Sequence, residues 1–289
     1  MTFEQFGFNE QLYSQIKKAG FTEPTQIQAE TIPLVLSGKD VIGQSKTGSG
    51  KTCAFALPIL EKVTRDGLQA IILAPTRELC YQVADTFVEF GDSSGVKVVS
   101  VFGGVSIEPQ IKQLERANIC VATPGRMLDH MERGTIDLSQ VRFVVLDEVD
   151  RMADMGFIDD VERIMSQMPT DRQTLLFSAT MNDDVTRLAS RYLKDPTQIT
   201  AEIHVDRSKL TQLYYDIMPR EKFSLLVHFL NKNMNGLSLV FCSTRHEADV
   251  VARNLAALDM PVKAIHGGLT QAKRSKALDM LKAEHISIL

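Results

Sequence analysis

The run Asp40-Val41-Ile42-Gly43-Gln44-Ser45-Lys46-Thr47-Gly48-Ser49-Gly50-Lys51-Thr52 decides the fold. It opens on apolar residues, passes through a loop of glycine and serine, and leads into residues 51–63, whose apolar side chains recur at helical spacing. Strand, glycine loop and helix in that order have the features of a phosphate-binding loop. The glycines let the backbone curl until its N–H groups face an anion, and the helix start adds favourable partial charge. In such a loop Lys51 reaches the outer phosphates and the Thr52 hydroxyl ligates Mg2+. Ser45 stands where the G-x-x-x-x-G-K-T pattern asks for glycine.

Outward from this loop, short apolar runs alternate with amphipathic stretches as far as residue 196, the pattern of βα units around a parallel sheet. The strand candidates are residues 40–42, 69–73, 97–102, 119–122, 143–146 and 173–177. Helical spacing recurs at 51–63, 77–90, 125–133, 158–168 and 183–193. Met152, Met155, Met165 and Met168 fall at that spacing and read as core. The pattern predicts an α/β, doubly wound domain over residues 1–203, a polar linker at 204–210, and a second domain over 211–289. In the second series, strands are expected at 213–218, 237–241 and 262–265, and helices at 223–230, 247–258 and 273–281. It stops at residues 286–289 within what reads as a further strand, so the second domain is expected to be truncated.

Composition agrees with a folded chain of about two domains: 289 residues, 44% hydrophobic, 24% charged, without low-complexity tracts. Disorder and a disulfide-stapled mini-protein are excluded. The formal net charge is -4, so a polyanion would have to be held by a local patch or by backbone amides. Cys53, Cys80, Cys120 and Cys242 form no C-x-x-C pair, and the six histidines show no ligand spacing, which argues against a structural metal and for a reducing compartment. The acidic N-terminus lacks the basic start of a signal peptide, and no run of 18 apolar residues occurs, so a cytoplasmic location is expected.

A phosphate loop needs carboxylates at the end of a neighbouring parallel strand. Phe143-Val144-Val145-Leu146 followed by Asp147-Glu148-Val149-Asp150 supplies them. Asp147 is placed to hold Mg2+, and Glu148 to orient or deprotonate a water.

These strings, with Pro75-Thr76-Arg77-Glu78-Leu79, Gly103-Gly104, Thr123-Pro124-Gly125-Arg126 and Ser178-Ala179-Thr180, stand in the order and spacing of the DEAD-box RNA helicases, which the chain resembles. Gly20-Phe21-Thr22-Glu23-Pro24-Thr25-Gln26-Ile27-Gln28 resembles that family's adenine-reading Q motif, spanning residues 1–28 with Phe3 as the upstream aromatic. Val240-Phe241-Cys242-Ser243-Thr244-Arg245 resembles motif IV, and Gln271 with Arg274 a Q-x-x-R element.

The resemblance implies two tandem RecA-like domains and an ATP-dependent RNA helicase that couples hydrolysis to local unwinding. It implies ATP held by Phe3, Phe21, Gln28 and the loop Ser45, Lys46, Thr47, Gly48, Ser49, Gly50, Lys51 and Thr52. Lys51, Asp147 and Glu148 would be catalytic, with Mg2+ on Thr52 and Asp147. Asp150, Ser178, Ala179 and Thr180 would couple nucleotide state to RNA grip. RNA would lie on Pro75, Thr76, Arg77, Gly103, Gly104, Thr123, Pro124, Gly125 and Arg126, and in the second domain on Thr244, Arg245 and Arg274. Contacts of this type go to the sugar-phosphate backbone and predict little sequence preference and a steep salt dependence.

The chain departs from the family pattern at Ser45, at Cys80, and at Val149, whose extra volume could crowd the Ser178-Ala179-Thr180 junction. The T-D-x-A-R-G-x-D and H-R-x-G-R-x-G-R motifs are not in residues 1–289. Arginines of the second motif are worth about 10³ to 10⁵ in phosphoryl-transfer rate. Hydrolysis by this chain is therefore expected to be impaired, and a non-catalytic, nucleotide-gated RNA- or partner-binding fragment is the second reading. A DNA helicase of the same superfamily is disfavoured by Gln28 and by the P-T-R-E-L and T-P-G-R pair.

Overall fold

A computed structural model describes residues 1–46, 48–201, 210–232 and 236–289. The chain divides into two compact units, Met1–Val205 and Asp206–Leu289. Thr47 and residues 204–209 of the expected linker lie outside the described residues.

The first unit opens with two helices, α1 (Glu10–Lys18) and α2 (Gln26–Leu36). Strands and helices then alternate: β1 (Val41–Gln44), α3 (Lys51–Lys62), β2 (Ala70–Leu73), α4 (Arg77–Gly91), β3 (Val98–Val101), α5 (Glu108–Leu114), β4 (Ile119–Ala122), α6 (Pro124–Glu132) and β5 (Phe143–Leu146). The series ends with α7 (Val149–Asp154), α8 (Ile158–Ser166), β6 (Gln173–Ser178), α9 (Asp183–Tyr192) and β7 (Thr197–Thr200). The seven strands form one sheet in the order β3-β4-β2-β5-β6-β1-β7, every pair parallel. The fold is α/β, as the alternation of apolar runs predicts.

Continuous apolar strands suit this sheet because both faces are covered. Ile72, Val121, Val145 and Leu175 point into one layer with Phe55, Phe87 and Phe177. Their neighbours Ile71, Cys120, Val144 and Leu176 point into the other, with Met127, Met152, Val161 and Leu188. A fully buried Val, Leu, Ile or Phe contributes about 1.5–3 kcal/mol. Truncating one such residue, as in Ile72→Ala, costs about 2–5 kcal/mol. Met152, Met165 and Met168 lie in the core, while Met155 is exposed. Val149 is fully buried in the second layer, and the junction it was expected to crowd keeps ordinary hydrogen-bond lengths.

Sequence periodicity missed β7, whose Thr-Gln-Ile-Thr turns only Ile199 inward at a sheet edge. It also missed α5, which is seven residues long and carries Pro109 in its first turn.

In the second unit, α10 (Lys222–Lys232), α11 (Arg245–Ala256) and α12 (Gln271–Lys282) fall where helical spacing places them. The expected strands do not form ladders. Among the described residues, only single parallel bridges join Ser238 to Ile288 and Val262 to Ile288. The segment around Ile288 lies between the other two, bonded by Ser238 N–H to Ser287 O at 2.8 Å and by Lys263 N–H to Ile288 O at 3.1 Å. Among the described residues, 213–218 have no backbone pairing of this kind, and Leu213 and Tyr214 are exposed. A strand is stabilised by paired neighbours rather than by its own propensity, so the apolar pattern alone could not establish one here. Among the described residues no helix is long and apolar enough to cross a membrane.

Candidate nucleotide and RNA site

The C-terminal end of β1 delivers the chain into the glycine loop, and α3 starts at Lys51. Gly48 and Gly50 have φ of 81° and 90°, in the left-handed region that glycine enters at little cost. Ser45 and Ser49 are buried, and their hydroxyls meet at 2.9 Å across the loop. Lys46 and Gly48 are exposed, and Thr52 is half-buried at the first turn of the helix. Lys51 is buried and donates from Nζ to the Ser45 carbonyl at 3.1 Å. The helix start and the lysine thus converge on one small loop, the arrangement that favours an anion.

Asp147 follows β5, and its N–H donates to Leu73 O at 2.9 Å, tying the ends of β5 and β2. Its Oδ1 is buried and, among the described residues, makes no hydrogen bond. Burial raises the Asp147 pKa to about 6, Lys51 opposes the rise, and Glu148 adds to it. A buried carboxylate oxygen without a donor, beside a lysine, suits a hard cation. Among the described residues no group of three or more His, Cys, Asp or Glu side chains could hold a metal ion. Mg2+ is commonly bound through one or two carboxylates together with substrate phosphates.

Glu148 has φ of 51° and ψ of 52°, a strained value for a residue with a side chain. Its Oε2 accepts from Arg151 Nη1 at 2.8 Å, one turn along α7. Motif reading missed Arg151, although the i, i+3 spacing from Glu148 was a usable signal.

Asp150 connects this corner to the end of β6. Its Oδ2 accepts from the N–H groups of Ala179 and Thr180 at 3.2 and 3.1 Å and from the Thr180 hydroxyl at 3.2 Å. The buried Ser178 hydroxyl accepts from Asp150 N–H at 3.3 Å and donates to Thr180 O at 2.7 Å.

Gln28, 3% exposed in the first turn of α2, accepts at Oε1 from Thr25 N–H at 2.9 Å and donates from Nε2 to Gly50 O at 3.1 Å. Thr25 adds a hydroxyl bond to Ser49 O at 2.8 Å. The Q-motif segment is therefore clasped onto the phosphate loop. Phe3 is 1% exposed, with its ring centroid 5.8 Å from that of Phe6 and 6.0 Å from that of Phe21. Phe21 is partly exposed and stacks on Phe90.

The segments expected to hold RNA lie at the ends of β2, β3 and β4. Pro75 is buried, and Thr76 caps α4 by accepting from Leu79 N–H at 3.2 Å. The Arg77 guanidinium lies over Gly104, whose φ is 78°, in space that a Cβ would occupy. Gly103 is half-buried, and Gly104 and Gly125 are exposed. Thr123 and Pro124 start α6. Arg126 Nη2 donates to Val105 O at 3.0 Å.

In the second unit, Thr244 caps α11 by accepting from Glu247 N–H at 3.1 Å, and the exposed Arg245 lies against Gly267 and Gly268. Arg274 is half-buried in α12, with Nη1 at 3.4 Å from Gln271 Oε1.

Residues 25–188 match the family DEAD/DEAH box helicase, and residues 221–289 match the family Helicase conserved C-terminal domain. The whole chain aligns at 43% identity with the DEAD-box ATP-dependent RNA helicase CshA of Bacillus subtilis, covering 59% of that protein. It aligns at 41% with the probable ATP-dependent RNA helicase MJ0669 of Methanocaldococcus jannaschii, covering 78%. Among solved structures it resembles a DEAD box protein from Methanococcus jannaschii, with a TM-score of 0.69 at 41% identity over 100% of this chain and 79% of that one. It also resembles a variant of S. cerevisiae Dbp5 bound to Gle1 and IP6, with a TM-score of 0.80 at 30% identity over 100% of this chain and 74% of that one. The chain thus spans under two thirds of the length of its CshA relatives.

Proposed function

From the premise that the chain belongs to the DEAD/DEAH box helicase family, we propose that it binds ATP with Mg2+ and single-stranded RNA as the core of an ATP-dependent RNA helicase. The observation that carries the nucleotide reading is the buried, unbonded Oδ1 of Asp147 beside the Lys51 loop. Lys51 and the N–H groups of residues 48–52 would hold the phosphates. Gln28 would read the adenine edge while keeping its clasp on Gly50. Mg2+, held by Asp147 and Thr52, would neutralise charge on the phosphate oxygens during transfer. Glu148 would accept a proton from the attacking water, with Arg151 fixing its carboxylate through Oε2. Asp150 would transmit the state of this corner to Thr180.

RNA would follow Arg77, Gly104 and the start of α6, held through its sugar-phosphate backbone. Hydrolysis and duplex unwinding by residues 1–289 would be impaired, because they contain no H-R-x-G-R-x-G-R string.

The test is steady-state phosphate release with Mg2+, with and without single-stranded RNA, and with Glu148→Gln as control. RNA-stimulated turnover lost in the control establishes the enzyme in this chain. ATP-dependent RNA binding without turnover supports the nucleotide-gated binding form, and absence of nucleotide binding overturns the proposal.

A further inference from the structure

Gln110 lies in α5, 4% exposed, outside every recognised motif, yet its amide joins two of them. Nε2 donates to Phe102 O at 3.0 Å, immediately before Gly103. Oε1 lies 3.2 Å from both Arg126 Nη1 and His130 Nε2. The amide orientation follows from chemistry: a guanidinium only donates and a carbonyl only accepts, so the oxygen faces Arg126 and the nitrogen faces Phe102. His130 Nε2 therefore carries the proton, and Nδ1 lies 2.8 Å from the Thr135 hydroxyl, which also reaches the His130 carbonyl at 3.1 Å. The ring is fully buried.

Arg126 is equally committed. Nη1 is on Gln110, Nη2 on Val105 O at 3.0 Å, and Nε pairs with Asp129 Oδ2 at 3.5 Å, leaving the side chain 12% exposed. The carbonyls of Phe102 and Val105 bracket the Gly103-Gly104 turn. The turn is thus pinned on one side by the Gln110 amide and on the other by the guanidinium that this amide holds.

We propose that Gln110, backed by His130, is a positioning residue of the RNA face: it locks Arg126 and the Gly103-Gly104 turn into one frame, so that Arg126 shapes the turn rather than gripping phosphate. The inference rests on the RNA-binding reading above. It assigns direct contact to the exposed backbone of Gly104 and Gly125 and to the start of α6, where N–H groups can approach phosphate closely.

The test compares Gln110→Met, which keeps volume without hydrogen bonds, with Gln110→Glu, which keeps the acceptor for Arg126 but cannot donate to Phe102. Amide hydrogen exchange of the free chain is read at residues 103–106. RNA affinity is read by anisotropy of a fluorescein-labelled ten-nucleotide oligo(U) with a non-hydrolysable ATP analogue and Mg2+. Gln110→Met is expected to speed exchange at the turn and weaken RNA binding about tenfold, with analogue affinity within about twofold of wild type. Gln110→Glu should fall between the two. Unchanged exchange overturns the frame, and faster exchange with unchanged RNA affinity overturns its role in RNA binding. A wild-type chain that binds no RNA overturns the reading beneath it, a failure told apart because the exchange measurement needs no RNA.

Discussion

Asp150 and Thr180 are joined twice: one carboxylate oxygen, Oδ2, accepts from both the N–H and the hydroxyl of Thr180, at 3.1 and 3.2 Å. The same oxygen takes the Ala179 N–H, so the corner after β6 is organised by the residue that ends the acidic string after β5. Asp150→Asn weakens three bonds to a charged acceptor and turns one amide arm into a donor facing donors. A loss of about 1–2 kcal/mol in urea unfolding is expected, reduced from the buried value because the site is partly exposed. In the same variant RNA should no longer raise the affinity for nucleotide, which calorimetric titration of an ATP analogue with and without RNA would measure.

Asp147 gives a pH dependence of defined sign. Its folded pKa is raised from 3.8 to about 6, so between these values the folded chain binds more protons at this residue than the unfolded chain. The stabilisation is fully present below pH 3.8 and is lost as pH rises through about 6. Asp147→Asn removes this loss and should stabilise the unliganded chain by about 2–3 kcal/mol at pH 7 and little at pH 4, measured by urea unfolding. The same variant should lose the stabilisation that Mg2+ and nucleotide add to the wild type.

Much of this site was legible because its parts are local strings fixed at the ends of apolar strands. Lys51, Asp147 and Glu148 are each announced by a buried strand followed by a polar turn, and parallel topology brings those turns to one sheet edge. Phe3 marks a limit of the sequence: a core phenylalanine and a base-stacking one look alike there, and its packing against Phe6 and Phe21 appears only in three dimensions. Gln110 and His130 were invisible for another reason. Buried polar residues are paid for by partners distant in sequence, and Gln110 finds its own at Phe102, Arg126 and His130. In the second unit, helical spacing was sufficient for α10 to α12, whereas extended segments needed pairing that sequence pattern does not encode.

Gly50 is a further point of failure. Its φ is 90°, and a Cβ there would lie 2.5 Å from Gln28 Nε2 and 3.0 Å from the Thr25 hydroxyl. Gly50→Ala therefore meets left-handed strain of about 1–2 kcal/mol and must also open the Gln28 clasp. Nucleotide affinity should fall at least tenfold while the sheet stays folded by circular dichroism. Gln28→Ala, which breaks the clasp without backbone strain, should cost less affinity and reduce the preference for ATP over GTP.

Ser45 offers the opposite direction of change. Its hydroxyl meets that of Ser49 at 2.9 Å inside the loop, and neither is exposed. The bond holds the loop around its own Lys51, whose Nζ rests on the Ser45 carbonyl at 3.1 Å. A phosphate entering the loop competes for that lysine. Ser45→Ala removes a buried hydroxyl pair worth about 1 kcal/mol and leaves the Ser49 hydroxyl unpaired, so the closed loop loses stability relative to the phosphate-bound one. Nucleotide affinity should rise about three- to fivefold by calorimetric titration, while the melting temperature of the free chain falls slightly. Unchanged affinity with a lower melting temperature would mean that the hydroxyl pair supports both loop states equally.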